Sequence, residues 1–170
     1  MFKKVALCIG LTMVIASNSM QAVAAQTAAS GTTQFTLNIT PPPCNVTVPA
    51  SISLGDIGYN ATKEGNPFEI SIRCDNSVRT AINATPSNGT SKLTDTTLAF
   101  MNNGQNSGAT LALLDTSTNK EIKFTGNDTD VFCNNTQDRS CSIKPKVTTG
   151  VQGMIHGNAT ATVKFDLLYL

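Results

Sequence analysis

Few residues in this chain could do chemistry. The sole histidine, His156, stands immediately before Gly157. Read as a general base, it would pair with Asp166 and activate a nearby serine hydroxyl. No nucleophile motif, orienting carboxylate or glycine-rich oxyanion loop accompanies it, so His156 reads as a polar residue at the edge of a strand. Asp128 and Asp130, in Gly126-Asn-Asp-Thr-Asp130, form a fragment of a calcium loop. The remaining ligand positions and the closing glutamate are missing, and the segment reads as a solvated turn. Tyr59 could contact a sugar, but one aromatic in a loop usually packs. No phosphate-cradling glycine motif occurs. The expectation is a protein without catalytic residues, metal or cofactor, and so not an enzyme.

The cysteines are more telling. Lys3 and Lys4, an apolar run of 12 residues from Val5 to Ala16, and small residues at Ala22–Ala24 or Val23–Ala25 mark residues 1–25 as a signal peptide. The run is too short to span a bilayer as a stable helix. Cys8 lies inside it behind the bulky Leu7, which argues against a lipoprotein. Cleavage leaves Cys44, Cys74, Cys133 and Cys141, an even number that an oxidising compartment would pair. Three connectivities are open, and spacing favours the two local pairs. Cys44–Cys74 would tie the start of one strand to the end of another, contributing about 3–4 kcal/mol by loop entropy. Cys133–Cys141 would pin a polar loop as a surface staple. Neither pair has the close spacing of a structural zinc site.

The elements that carry these residues are strands. The chain has 170 residues, 40% hydrophobic and 14% charged, with no tryptophan and many threonines and asparagines, a β-rich composition for one exported domain. Without the leader, 10 basic residues face 11 acidic ones, a balance that favours neither nucleic acid nor an anionic membrane. The last fourteen residues form one long expected strand. Ala159, Ala161, Val163, Phe165, Leu167 and Tyr169 lie on one face and Thr160, Thr162, Lys164 and Asp166 on the other. So apolar a strand needs a hydrogen-bonding partner on each side. A second alternation, Thr33, Phe35, Leu37 and Ile39, predicts an amphipathic strand. Pro41–Pro43 follow as a stiff spacer that forbids a tight hairpin onto the next segment.

Between them, strands are expected at Val46–Leu54 with a break at Pro49, Phe68–Cys74, Val78–Ala84 (ended by Pro86), Leu98–Met101, Leu111–Leu114, Glu121–Thr125 and Ser142–Thr149. Asn102–Gly108 reads as a turn-rich separator. Strands recurring roughly every 8–15 residues without helical periodicity indicate an antiparallel β-sandwich. The sequons, for example at Asn38, Asn83 and Asn158, read as a by-product of the Asn/Thr-rich composition. The expected organisation is a leader over 1–25, an extension over 26–43 and a domain over 44–170.

In these features the chain resembles the subunits of chaperone–usher fimbriae, the type 1 and P pilus families. The resemblance rests on the leader, the alternating extension, Pro-Pro-Cys44, Phe68-x-Ile-x-Ile-x-Cys74, Gly157 fourteenth from the end and Tyr169 second from the end. It implies an all-β fold, an incomplete immunoglobulin-like sandwich lacking its last strand. It also implies that Thr33, Phe35, Leu37 and Ile39 are donated to a neighbour, a form of β-augmentation. Gly157, Ala159, Ala161, Val163, Phe165, Leu167 and Tyr169 would line the acceptor and chaperone-binding edge, and Cys44–Cys74 would be the family's internal disulfide. Implied partners are a periplasmic chaperone, an outer-membrane usher, neighbouring subunits and a host receptor. The implied destination is the surface of a Gram-negative bacterium, by way of the periplasm. An alternative within the resemblance is a single-domain tip subunit that binds a host glycan or protein. Three features depart from the pattern: Leu37 stands about where a glycine is usual, the chain ends in Leu170, and Cys133 and Cys141 form an additional pair.

Overall fold

Alternation at period two governs the architecture. The computed structural model describes residues 33–38 and 44–170, and the chain divides into two units between Asn38 and Ile39. The second unit contains β1 (Cys44–Thr47), β2 (Thr62–Glu64), β3 (Phe68–Cys74), β4 (Thr80–Ser87), β5 (Leu98–Asn102), β6 (Gln105–Asp115), β7 (Lys120–Glu121), β8 (Phe132–Asn135), β9 (Arg139–Thr149) and β10 (Thr162–Tyr169). The described residues contain no helix.

One sheet runs β1-β3-β9-β6-β5, with β2 added to β9 and β7 to β6; the other runs β10-β4-β8. All pairings are antiparallel. Ile70 and Ile72 of β3, Leu111 and Leu113 of β6 and Ile143 of β9 meet Ile82 and Ala84 of β4 in one apolar core. On β3, the intervening Glu69 and Arg73 are exposed, as the alternation requires. Ile122 and Phe124 follow β7 without strand structure of their own, yet both are buried, and the Ile122 N–H donates to the Leu113 carbonyl at 2.8 Å.

The disulfides do different things. Cys44 and Cys74 are bonded across directly opposed positions of β1 and β3. Cys133 on β8 is bonded to Cys141 on β9, so this bond joins the two sheets. That corrects the expected loop staple: most of the polar segment between the two cysteines is strand, and only residues 136–138 lie outside β8 and β9.

Several strand bounds differ from expectation. Asn102–Gly108 is mostly strand, because the hairpin needs only Asn103 and Gly104, both at positive φ (49° and 79°), the geometry of a two-residue type I′ turn. β4 begins at Thr80 and continues through Pro86 to Ser87. The Ala84 carbonyl accepts from Gly126 N–H on the β8 side, and Pro86 faces that same side, past the point where β8 ends. Its missing donor therefore interrupts no ladder. Pro145 sits within the central β9 for a similar reason. Its carbonyl accepts from Gly65 N–H at 2.8 Å, so its nitrogen faces the gap between β2 and β3. The expected Val46–Leu54 strand stops at Thr47, and the expected 157–170 strand begins only at Thr162.

Candidate functional site

The site is a groove in the second unit, and β10 is its organising wall. Thr162, Lys164, Asp166 and Leu168 oppose the β4 residues that face β10, and the Leu170 N–H, in the same phase, donates to the Arg79 carbonyl at 2.9 Å. The main-chain groups of Val163, Phe165 and Leu167 consequently point to the opposite edge. Among the described residues no strand pairs with that edge. The side chains of Ala161, Val163, Phe165 and Leu167 pack against the core but are only partly buried. On the outer face Lys164 and Asp166 form an ion pair at 2.8 Å.

The shortening of the last strand has a geometric cause. Thr160 exchanges two main-chain hydrogen bonds with Met101 of β5, at 2.8 and 2.9 Å, while Thr162 begins the ladder with β4. The chain thus passes from one sheet to the other between Thr160 and Thr162, and the ladder breaks there. Gly157, at φ 108°, lies in the irregular stretch before it, with Asn102 donating to the His156 carbonyl at 2.9 Å.

The opposite wall is the segment 48–59, which has no strand partner among the described residues. Val48, Ile52 and Leu54 fall in the expected Val46–Leu54 strand, yet they lie outside any strand and Val48 and Ile52 are each 40% exposed. Two joined hollows lie between the walls. One, of about 830 Å³, is bordered by residues 52–59 and 154–160; the other, of about 390 Å³, by residues 48–54 and 159–165. Phe100, Leu111, Leu113 and Val147 contribute to the floor. Phe165 packs near Phe68 and Phe132, with ring centroids 6.5 and 6.2 Å away.

The walls meet at one end. The Tyr59 hydroxyl and His156 Nε2 are 2.6 Å apart, with the rings edge to face at 5.5 Å. The two residues are 97 positions apart in sequence, and what links them is the antiparallel course of the two walls, which no local spacing reveals. Asp166, considered as a partner for His156, is engaged with Lys164 instead. Asp130 accepts from Lys123 and Thr125, each at 2.7 Å, and its partners hold its carboxyl below the usual carboxylate range, Lys123 first. Among the described residues no group of three or more His, Cys, Asp or Glu is placed to hold a metal.

Of the expected acceptor residues, Gly157 and Ala159 border the larger hollow, and Ala159, Ala161, Val163 and Phe165 the smaller. Leu167 and Tyr169 continue along β10. Of the expected donor residues, Thr33, Phe35 and Leu37 lie in a segment without regular secondary structure rather than in a strand, with Phe35 92% and Leu37 81% exposed. A strand needs a partner for its main chain, and this segment has no ladder. Ile39 lies outside the described residues.

No protein-family model and no curated protein matches the sequence. Solved structures do. A chain from a chaperone–usher pilus, solved to explain how the rod uncoils, superimposes with a TM-score of 0.55 at 14% identity over 86% of this chain and 99% of that one. The P pilus rod subunit PapA gives 0.55 at 16% identity over 75% and 99%. The chain has the fold of chaperone–usher pilus rod subunits. This pilin-like fold is all-β and immunoglobulin-like, and both neighbours come from structural assemblies.

Proposed function

We propose that this chain is a structural subunit of a chaperone–usher fimbria, polymerising by donor-strand exchange and supporting bacterial adhesion. One observation carries the reading: β10, whose Val163, Phe165 and Leu167 share one face, borders an open groove with main-chain groups directed into it. An edge of that kind is a template for another strand. The complementary piece is the alternating segment Thr33, Phe35, Leu37 and Ile39 of a second copy, two of whose apolar side chains are almost fully exposed. Burying Phe35, Leu37 and Ile39 would contribute roughly 5–9 kcal/mol before ordering costs, and main-chain hydrogen bonds would add to it.

On this reading residues 1–25 direct export, 26–43 form the donor arm and 44–170 the receiving domain. A periplasmic chaperone fills the groove until an outer-membrane usher brings the next subunit, and the fibre stands on the surface of a Gram-negative cell. Deleting residues 26–40 and expressing the chain with its chaperone and usher tests the assignment. Electron microscopy is expected to show no fibres built from the truncated subunit, and undiminished fibres would refute it.

A further inference from the structure

Alternation alone does not fix how a donated strand sits. Sliding Thr33-x-Phe35-x-Leu37-x-Ile39 by one residue would turn its apolar face to water, but sliding by two restores an apolar face to the groove. The main-chain groups of Val163, Phe165 and Leu167 on the groove side of β10 repeat at the same period and so favour no single even register. No glycine interrupts the donor face between Thr33 and Ile39 to key it to one position. Register therefore has to come from the groove's ends.

Those ends differ. Along most of their length the walls are separate: among the described residues no hydrogen bond joins 48–57 to 159–168. At one end they are fastened. Tyr59 and His156 meet across the groove at 2.6 Å, and the adjoining Asn60 N–H donates to the Gly150 carbonyl at 2.9 Å. The Ile155 N–H donates to the Ser107 carbonyl at 3.0 Å, and Asn102 holds the His156 carbonyl, so the His156 side of the fastening is anchored to β5 and β6. Two rings standing edge to face across an open channel leave no room for an extended main chain between them.

We propose that the Tyr59–His156 pair is the end stop of the groove and sets the register of the inserted strand; this rests on the strand-accepting reading above. The pair determines specificity by length, limiting how far residues 33–39 of another copy can travel along β10.

The test uses the full chain refolded with a synthetic peptide of residues 31–40 carrying a photo-reactive phenylalanine analogue at Phe35. Cross-links are mapped by mass spectrometry. In the unmodified protein they are expected at one position in the groove. Tyr59→Ala and His156→Ala, both at exposed side chains, are expected to add a second position displaced by two residues, the next register the alternation allows. Tyr59→Phe keeps the ring and loses only the hydrogen bond, and it is expected to spread less. Variants that fold, bind the peptide and cross-link only where the unmodified protein does would overturn the end stop. Absence of any groove cross-link in the unmodified protein would instead overturn strand acceptance, and the end stop with it.

Discussion

β9 and β10 are both long strands, of 11 and 8 residues, and their surroundings differ. β9 contains Arg139, Lys144, Lys146 and Pro145, yet it is paired on both sides, and Ile143 and Val147 are 0% and 4% exposed. β10 carries Val163, Phe165, Leu167 and Leu168, yet among the described strands it pairs only with β4, and none of its side chains is fully buried. Apolar content thus does not measure burial within the chain. In β10 it exceeds what the domain covers, and that excess is what the proposed docking of a second strand would use.

Substitutions on the two strands should separate them. Ile143→Ala removes a fully buried side chain from the closed core and is expected to cost about 2–5 kcal/mol by urea unfolding, whether or not the residue 31–40 peptide is present. Leu167→Ala should cost less, about 1–2 kcal/mol in the unaccompanied chain, since a half-buried site loses less burial. The same substitution should also lower peptide affinity. An equal loss from both variants, unaffected by peptide, would erase the contrast.

The disulfides offer a smaller contrast. Replacing Cys44 and Cys74 by alanine opens a loop of sequence separation 30, and replacing Cys133 and Cys141 one of separation 8. Chain entropy gives about 3.6 and about 2.5 kcal/mol respectively. Because the shorter loop also joins the sheets, its loss should additionally speed hydrogen exchange in β8 while leaving β3 and β9 protected. Uniform exchange across both sheets would argue against that local role.

The smallest effect is electrostatic. Hydrogen bonds from Lys123 and Thr125 keep the Asp130 carboxyl below its usual value. A carboxyl whose folded value is depressed stabilises above its unfolded value, and the contribution is lost as pH falls through the folded one. Asp130→Asn should therefore unfold slightly earlier than the unmodified protein near neutrality, with the gap closing in acid. A gap that widens in acid would contradict the assignment.

Much of this arrangement was legible in the residues. Phe68–Cys74 alternates so cleanly that its inward set could be named, and the apolar face of 159–169 pointed to a missing partner. Other parts depended on distant chain. Pro86 looked like a breaker until the free side beside it was visible. Asn103-Gly104 was one short signal inside a stretch with many turn-forming residues, and β6 runs straight on from it. Residues 48–54 alternate enough to suggest a strand but have no neighbouring strand among the described residues, which no local pattern reports. Cys133–Cys141 looked local in sequence, and only the sheet assignment showed that it stitches two layers together.

The two strand prolines have a consequence for trespass. An intruding chain that tried to lengthen β8 along β4 would meet a pyrrolidine nitrogen with no hydrogen to offer at Pro86, whereas beside Pro145 the place is already taken by Gly65. The first place is barred chemically, and the second is closed by the link between β2 and β3. On the proposed reading a wandering strand is turned away at Pro86, while the berth beside β10 stays open to it.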